Sequence, residues 1–390
     1  MFQFRDKTVY IISPERWGTM KVSKHHYALE LVKRGNRVYF FEPPDLKAGA
    51  NIVQSVTDEG VHLVQYKPLA RGKRFIGKWL YARLQQMQMK QIINELKYPP
   101  DVVWCFDDGV YDDLNIFGAA IRIFHPVDHN LSRKTPACAL TADVIFSTSY
   151  RILEYMKPVN KPGKVIQHGL NTAFEQFAKK QKLWSVNTGE TIRPFNQQVG
   201  FWGSLFKESL DRKKIIRLVE AFPSVTFSFW GPYKTQQNNL GGMNEAEVSS
   251  FIQQLSAMPN VRLNGPRKAN ELVKEIENID LFINIEYEYS ARWDNGNPHK
   301  ILEYLSTGKP VFSTAVVMYA ETDLLFVHAT EDVVADFQSL LNSWNKWNAR
   351  AEQLKRIEFA LSNTYSKQID RVEEFVLESK SSFNGLAHNQ

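Results

Sequence analysis

Two hydrophobic periods alternate along this chain. Short runs of β-branched and aromatic residues are separated by stretches whose apolar residues recur every three or four positions, the mark of parallel βαβ units rather than of a sandwich or bundle. TVYIIS (8–13) predicts a first strand, and Val22, His26, Leu29 and Val32 predict the stripe of a helix that Gly35 ends as C-cap. RVYFFE (37–42), VHLVQY (61–66), DVVWCF (101–106), AIRIFH (120–125), DVIFST (143–148) and KVIQH (164–168) continue the series, enough for a complete doubly wound sheet. A polar, poorly periodic stretch, 179–198, then breaks the rhythm and predicts an interdomain linker. The alternation restarts with VGFWGS (199–204), VTFSFWG (225–231), NVRLNG (260–265), IDLFINI (279–285) and KPVFST (309–314), with helices between them. Residues 330–380 read as mainly helical. The expected fold class is therefore α/β, with a Rossmann-like domain over 1–180, a second over 195–360, and a C-terminal helix, 361–390, returning toward the first. Ligands bind such sheets at their strand carboxyl ends, so the site is expected in a cleft between the two domains.

A length of 390 residues agrees with two domains. Two cysteines, Cys105 and Cys138, cannot make a disulfide framework and no Cys/His cluster has zinc spacing, which favours a reducing compartment. The opening residues lack a signal-peptide core and no apolar run reaches about 18 residues, so a cytoplasmic protein is expected. Lys plus Arg outnumber Asp plus Glu by 48 to 42, but the excess is uneven: 27 to 17 over residues 1–185 and 21 to 25 over the rest. Much of the positive charge lies in 67–97, where Lys67, Arg71, Lys73, Arg74, Lys78, Arg83, Lys90 and Lys97 face Glu95 alone, with Phe75, Ile76, Trp79 and Leu80 interleaved. A basic stretch with aromatic anchors suits peripheral contact with an anionic membrane, such as the inner face of the cell membrane. A crossover helix with a basic outer face reads equally from the same residues. No nucleic-acid motif accompanies them.

The chemistry concentrates in WDNGNPHKILEYLSTGKPV (293–311). Asn297 is placed to cap a helix whose first residue is Pro298, and Gly308 is placed to end it. Ile301, Leu302 and Leu305 predict its buried side, while Lys300 and Glu303 share another face. Lys300 lies in the first turn, where the helix dipole disfavours a cation, so something negative is expected beside it. Gly296, free backbone NH groups and Lys300 at one helix start make a phosphate site. The competing reading is a solvated lysine on a surface helix.

NPHKILEYLSTGKPV resembles the donor-binding segment of GT-B fold glycosyltransferases of the retaining family 4 type, in the variant reading Pro-x-Lys-(x)2-Glu-Tyr-Leu. The resemblance extends to SKHHYALELVKRGNRVYFFEPP (23–44), LTADVIFSTS (140–149), VIQHGLNTAF (165–174), VGFWGSLFKESLD (199–211) and NVRLNGPRKANELVKEIENIDLFI (260–283), in the family's order. It implies that Glu303 binds both ribose hydroxyls of a nucleotide-sugar, which a carboxylate does by accepting two hydrogen bonds side by side. The family's other glutamate, eight positions earlier, is Asn295 here, with Asp294 beside it, and the resemblance implies either that Asp294 replaces that carboxylate or that Asn295 hydrogen-bonds the sugar hydroxyls without charge. Backbone around Gly296, Asn297 and Pro298 is implied to face the diphosphate, with Lys207, after Gly203-Ser204, as a second cation beside Lys300. The turns at Gly231 and Gly265 are implied to wall the nucleobase.

In the first domain the loop PERWGTMKVS (14–23) resembles the family's glycine loop, with Gly18 close to ligand and Trp17, Lys21 and His25 as acceptor-side contacts or ordinary packing. One glycine there, rather than G-x-G-x-x-G, argues against a nicotinamide cofactor. FHPVDHN (124–130) offers His125, Asp128 and His129 at a strand end, where the family places a group close to the reacting carbon. Asp107-Asp108 raises a metal site, but the resemblance implies none. The implied activity is metal-independent transfer of a sugar, with retention, from a UDP- or GDP-linked donor to a hydroxyl of a glycan or lipid-linked acceptor in cell-surface polysaccharide or glycolipid synthesis. The donor is a substrate, and no cofactor is expected. The same scaffold also serves epimerases and phosphorylases, and the Asn295 departure keeps open an inactive nucleotide-sugar-binding protein.

Overall fold

The computed structural model describes residues 3–18, 20–47, 50–69, 77–127, 135–187, 193–234, 245–288 and 297–387. The chain divides into two units, Met1–Gln167 with Tyr365–Gln390, and His168–Thr364. The first holds β1 (Thr8–Ile12), β2 (Arg37–Phe41), β3 (Ile52–Val56), β4 (His62–Tyr66), β5 (Val102–Cys105), β6 (Ile121–Phe124), β7 (Val144–Ser147) and β8 (Gly163–Val165), in the order β3-β4-β2-β1-β5-β6-β7-β8. All neighbours are parallel except β3 and β4, which pair antiparallel. β3 escaped sequence reading because only Ile52 turns inward and its other four residues are exposed, so it has no apolar face to show.

Both faces of this sheet are covered, which is why its strands read as continuous apolar runs. Val9 and Ile11 join one core with Tyr27, Leu31 and Trp104, while Tyr10 and Ile12 join the other with Met89, Ile92 and Tyr111. The fully buried residues of the helix Ser23–Lys33 include Lys24, Tyr27, Ala28 and Leu31, while Leu29 and Val32 of the expected stripe pack partly buried against the same core and Val22 is exposed. The helix Tyr365–Ala387 covers its flank: Tyr365 stacks on His26 at 4.9 Å, and Arg34 donates to Asp370 at 2.7 Å. Residues 78–96 form one helix whose Met89, Ile92 and Leu96 are buried while Trp79 is 77% exposed. Residues 70–76 of the basic stretch lie outside the described residues. Among the described residues, no helix is long and apolar enough to cross a membrane.

The second unit is a six-stranded, all-parallel sheet of β9 (Gln198–Trp202), β10 (Thr226–Trp230), β11 (Val261–Leu263), β12 (Leu281–Asn284), β13 (Val311–Ser313) and β14 (Phe326–Val327). Its order, β11-β10-β9-β12-β13-β14, is that of a doubly wound dinucleotide-type sheet, and the chain reverses direction across the sheet between β9 and β12. The unit starts before the polar stretch read as a linker. Thr172–Asn187 is a helix whose Phe174 and Ala178 pack with Trp202, Ile301, Tyr304 and Ile357, so its face is completed by residues far along the chain.

Candidate functional site

At the reversal point the carboxyl ends of β9 and β10 and the turn after β11 are closed by glycines. Gly203 and Gly231 have φ of +142° and Gly265 has φ of +72°, values that disfavour any side chain. The Gly203 N–H donates to Trp230 O at 2.8 Å and the Gly231 N–H to Gly265 O at 3.0 Å. A Cβ added to Gly231 would overlap the carbonyl of Gly203. Backbone therefore lies against backbone here, and the strand ends present a low polar wall.

The helix His299–Ser306 begins beside this wall. Pro298 is its N-cap rather than its first residue: with ψ of 118° it is extended, and no side chain among the described residues caps the helix. Asn297 thus stands one position too early to cap, and its Nδ2 is buried with no partner among the described residues. Lys300 is not a solvated surface lysine. It is 6% exposed, its Nζ lies 2.8 Å from Glu286 Oε1, and the ammonium sits over the Phe201 ring at 4.7 Å. Burial pushes its pKa down to about 8 against the opposing charge of Glu286.

Glu286, just past β12, is the negative group the helix start requires, and it was absent from the sequence expectations. Lys207 Nζ donates to both its oxygens, at 2.9 and 2.7 Å, and Ser209 Oγ donates to Oε2 at 2.8 Å. Its N–H donates to Thr314 Oγ1 at 3.0 Å, fixing the strand end. Burial alone would raise this carboxyl's pKa, but Lys300 and Lys207 outweigh it and hold it well below the carboxylate range. The signal was present in IDLFINIE: a carboxylate directly after an apolar parallel strand, where ligands and their supports gather.

One turn after Lys300, Glu303 accepts from Asn171 Nδ2 and from Trp202 Nε1, both at 2.7 Å. Burial lifts this carboxyl to about 7, against those two hydrogen bonds. Each oxygen keeps further acceptor capacity. Asn171 also caps the helix Thr172–Asn187, its Oδ1 accepting from Ala173 N and Phe174 N at 3.1 Å. Trp202 is steadied by Tyr304, whose ring lies 4.3 Å away and whose hydroxyl accepts the Trp202 N–H at 3.1 Å. The structure thus brings Lys207, Lys300, Glu303, Gly203, Gly231 and Gly265 to one end of one sheet, while Asp294, Asn295 and Gly296 lie outside the described residues.

In the first unit the sequence candidates are mostly structural ties. His25 Nδ1 accepts the Val22 N–H at 3.1 Å and its Nε2 lies 3.1 Å from Arg16 O, and burial lowers its pKa to about 4, so it is a neutral clamp on the 14–23 loop. Trp17 N–H donates to Glu42 Oε1 at 2.8 Å, and Lys21 Nζ sits 3.9 Å over the Trp17 ring. A Cβ on Gly18 would come no nearer than 3.9 Å to Arg16 O, so nothing within the described residues requires glycine there. His125 differs most from expectation. It is fully buried between Trp104 and Phe106, ring centroids 6.0 and 5.0 Å away, rather than open to a cleft. Its Nδ1 accepts from Trp104 Nε1 at 3.2 Å, its Nε2 meets no partner among the described residues, and burial lowers its pKa to about 3. Asp128 and His129 lie outside the described residues. Asp107 accepts from Gly109 N at 2.6 Å, and no group of three metal-ligating side chains occurs among the described residues.

No protein-family model and no curated protein matches the chain. Solved structures do. An α,α-trehalose 6-phosphate synthase from Burkholderia multivorans matches with TM-score 0.64 and 12% identity over 97% of this chain and 99% of its own. The Anabaena protein HepE in complex with UDP matches with TM-score 0.61 and 13% identity over 95% and 100%. A trehalose-6-phosphate protein from E. coli bound with UDP-2-fluoro glucose matches with TM-score 0.65 and 9% identity over 95% and 99%. Likeness at such low identity, running over both units, speaks for architecture: the chain has the GT-B fold of the nucleotide-sugar glycosyltransferases.

Proposed function

We propose that the protein is a glycosyltransferase that moves a sugar from a nucleotide-diphosphate sugar to a hydroxyl acceptor. The observation that carries this reading is the pair of lysines, Lys207 and Lys300, held on one buried carboxylate beside Glu303 at the reversal point of the second sheet. Glu303 accepts hydrogen bonds from the donor's ribose hydroxyls, leaving Asn171 and Trp202 to hold it in place. The glycine turns at 203, 231 and 265 pass the nucleoside without side-chain obstruction. Lys207 and Lys300 face the diphosphate and meet the charge that develops as the sugar leaves, the term that dominates such transfers. The reading therefore needs no metal ion. UDP is the favoured nucleotide because UDP and a UDP-sugar occupy two of the similar structures, with GDP the competitor. Transfer proceeds with retention, and the first unit holds the acceptor. The exposed Trp79 and Leu80 beside Arg83 and Lys90 support contact with an anionic membrane and so a lipid-linked or cell-surface glycan acceptor at the inner membrane face.

Calorimetric titration of UDP and GDP into the full chain, repeated on Glu303→Ala, tests the reading. Wild type is expected to bind one of them and Glu303→Ala to bind at least about tenfold more weakly, as the loss of hydrogen bonds to a charged group implies. Sugar release that depends on added acceptor, with the product's anomeric configuration read by NMR, then separates transfer from epimerisation. If neither nucleotide binds, the proposal fails.

A further inference from the structure

We propose that Glu286 is a positioning residue of the diphosphate site: its buried carboxylate holds the ammonium groups of Lys207 and Lys300 as one fixed pair and supplies the countercharge that lets Lys300 reside inside the protein. The inference rests on the donor reading above and deepens it.

The hydrogen-bond inventory is decisive. An ionised carboxylate offers about four acceptor sites. Glu286 spends four: two on Lys207, one on Lys300 and one on Ser209. It has nothing left with which to accept a substrate hydroxyl. Each ammonium carries three N–H donors, so among the described residues the cluster retains unspent donors and one net positive charge, which is a demand for an anion. Lys207 has 40% of its side chain exposed and so brings that demand to the surface, while the side chains of Lys300 and Glu286 are buried.

Charge placement points the same way. Lys300 stands in the first turn of its helix, where the dipole opposes it, and it is almost wholly out of water. The Phe201 ring face offsets only part of that cost. Without Glu286 the ammonium would shed its proton readily, since burial already brings it to about 8. Among the described residues, the other titratable groups around the cluster do not replace Glu286. His299 follows the helix cap, Asp211 caps the helix Arg212–Ala221, Arg212 donates to Lys207 O at 3.0 Å, and His328 reaches Glu286 only through Thr314 Oγ1, 3.0 Å from its Nε2.

The test is calorimetric titration of UDP into the full chain and its E286Q and E286D variants from pH 6 to pH 9. At pH 8, E286Q is expected to bind at least about tenfold more weakly than wild type, and the gap to narrow toward pH 6 as Lys300 regains its proton. E286D keeps the charge on a shorter arm, so its pH profile should follow wild type at an affinity about fivefold lower. E286Q binding as tightly as wild type at pH 8, or more tightly, overturns the inference, because Glu286 would then compete with the phosphates. A loss equal at every pH also overturns it, since that marks general damage to the site. If E286Q does not fold, E286D decides: wild-type affinity in that variant overturns the inference. Wild type that binds neither UDP nor GDP defeats the donor reading and this inference with it, whereas wild type that binds beside an indifferent E286Q defeats this inference alone.

Discussion

Glu303→Gln separates the cost of holding a carboxylate in this site from its use. Burial lifts the Glu303 carboxyl from an ordinary 4.5 to about 7. For an acid raised in the folded state, folding is unopposed below pH 4.5, and stability is lost as pH rises toward the folded pKa. At about 1.4 kcal/mol per unit, the charged side chain costs the folded state about 3 kcal/mol once pH passes 7. Glutamine pays no such ionisation cost. Its amide does set an NH2 group against one of the donors from Asn171 and Trp202, but that mismatch is the same at every pH and cancels from the difference. Wild type should therefore lose about 3 kcal/mol relative to Glu303→Gln between pH 4.5 and pH 8, or roughly 6–12 °C in the melting temperature of the second unit. Scanning calorimetry of both proteins at a series of pH values reads this directly. Parallel curves would falsify the reasoning, for they would mean that the carboxyl ionises as it does in water. Ribose hydroxyls favour the charged form, so UDP affinity should rise by up to tenfold per pH unit toward 7 and fall again above about 8, where Lys300 loses its proton.

Asn171→Ala removes a helix cap worth about 1 kcal/mol and one of the two hydrogen bonds that oppose the rise of Glu303, so the pH midpoint of that stability difference should move upward. Gly231→Ala drives a Cβ into the Gly203 carbonyl and should cost about 3 kcal/mol or more in urea unfolding. Gly118→Ala, with φ of +63° and open space around it, should cost only about 1–2 kcal/mol. Arg356→Met strips donors from Gly308 O and Trp347 O, bonds of 2.9 and 2.6 Å from a side chain with no exposure, and should destabilise the second unit by about 2–4 kcal/mol; a change within 0.5 kcal/mol, roughly a surface substitution's effect, would show that water replaces the guanidinium.

Strands, helices and the doubly wound class were legible in the sequence because hydrophobic period is a local property: a strand covered on both faces reads as an apolar run wherever it pairs. The donor segment was legible for the same reason, since Lys300, Glu303 and Gly308 keep fixed spacing along one helix. The conflict of a lysine at a helix start was visible too, but not its resolution. Glu286 is joined to Lys207 across 79 residues, and although its place directly after an apolar strand marks it as a candidate, that local pattern does not show which lysines it will meet. Asn171, whose link to Glu303 spans 132 residues, was hidden in the same way. Where the sequence misled, local geometry was asked to decide exposure. His125 does end a strand, but Trp104, Phe106 and Tyr27 close over it, and the segment read as a linker is partly a helix because the helix anchored by Phe174 and Ala178 against Ile301, Tyr304 and Ile357 runs on into it as far as Asn187. Period and spacing travel with the chain. Burial, countercharge and the partners of a polar atom depend on what folding brings from elsewhere, and only the tertiary structure decides those.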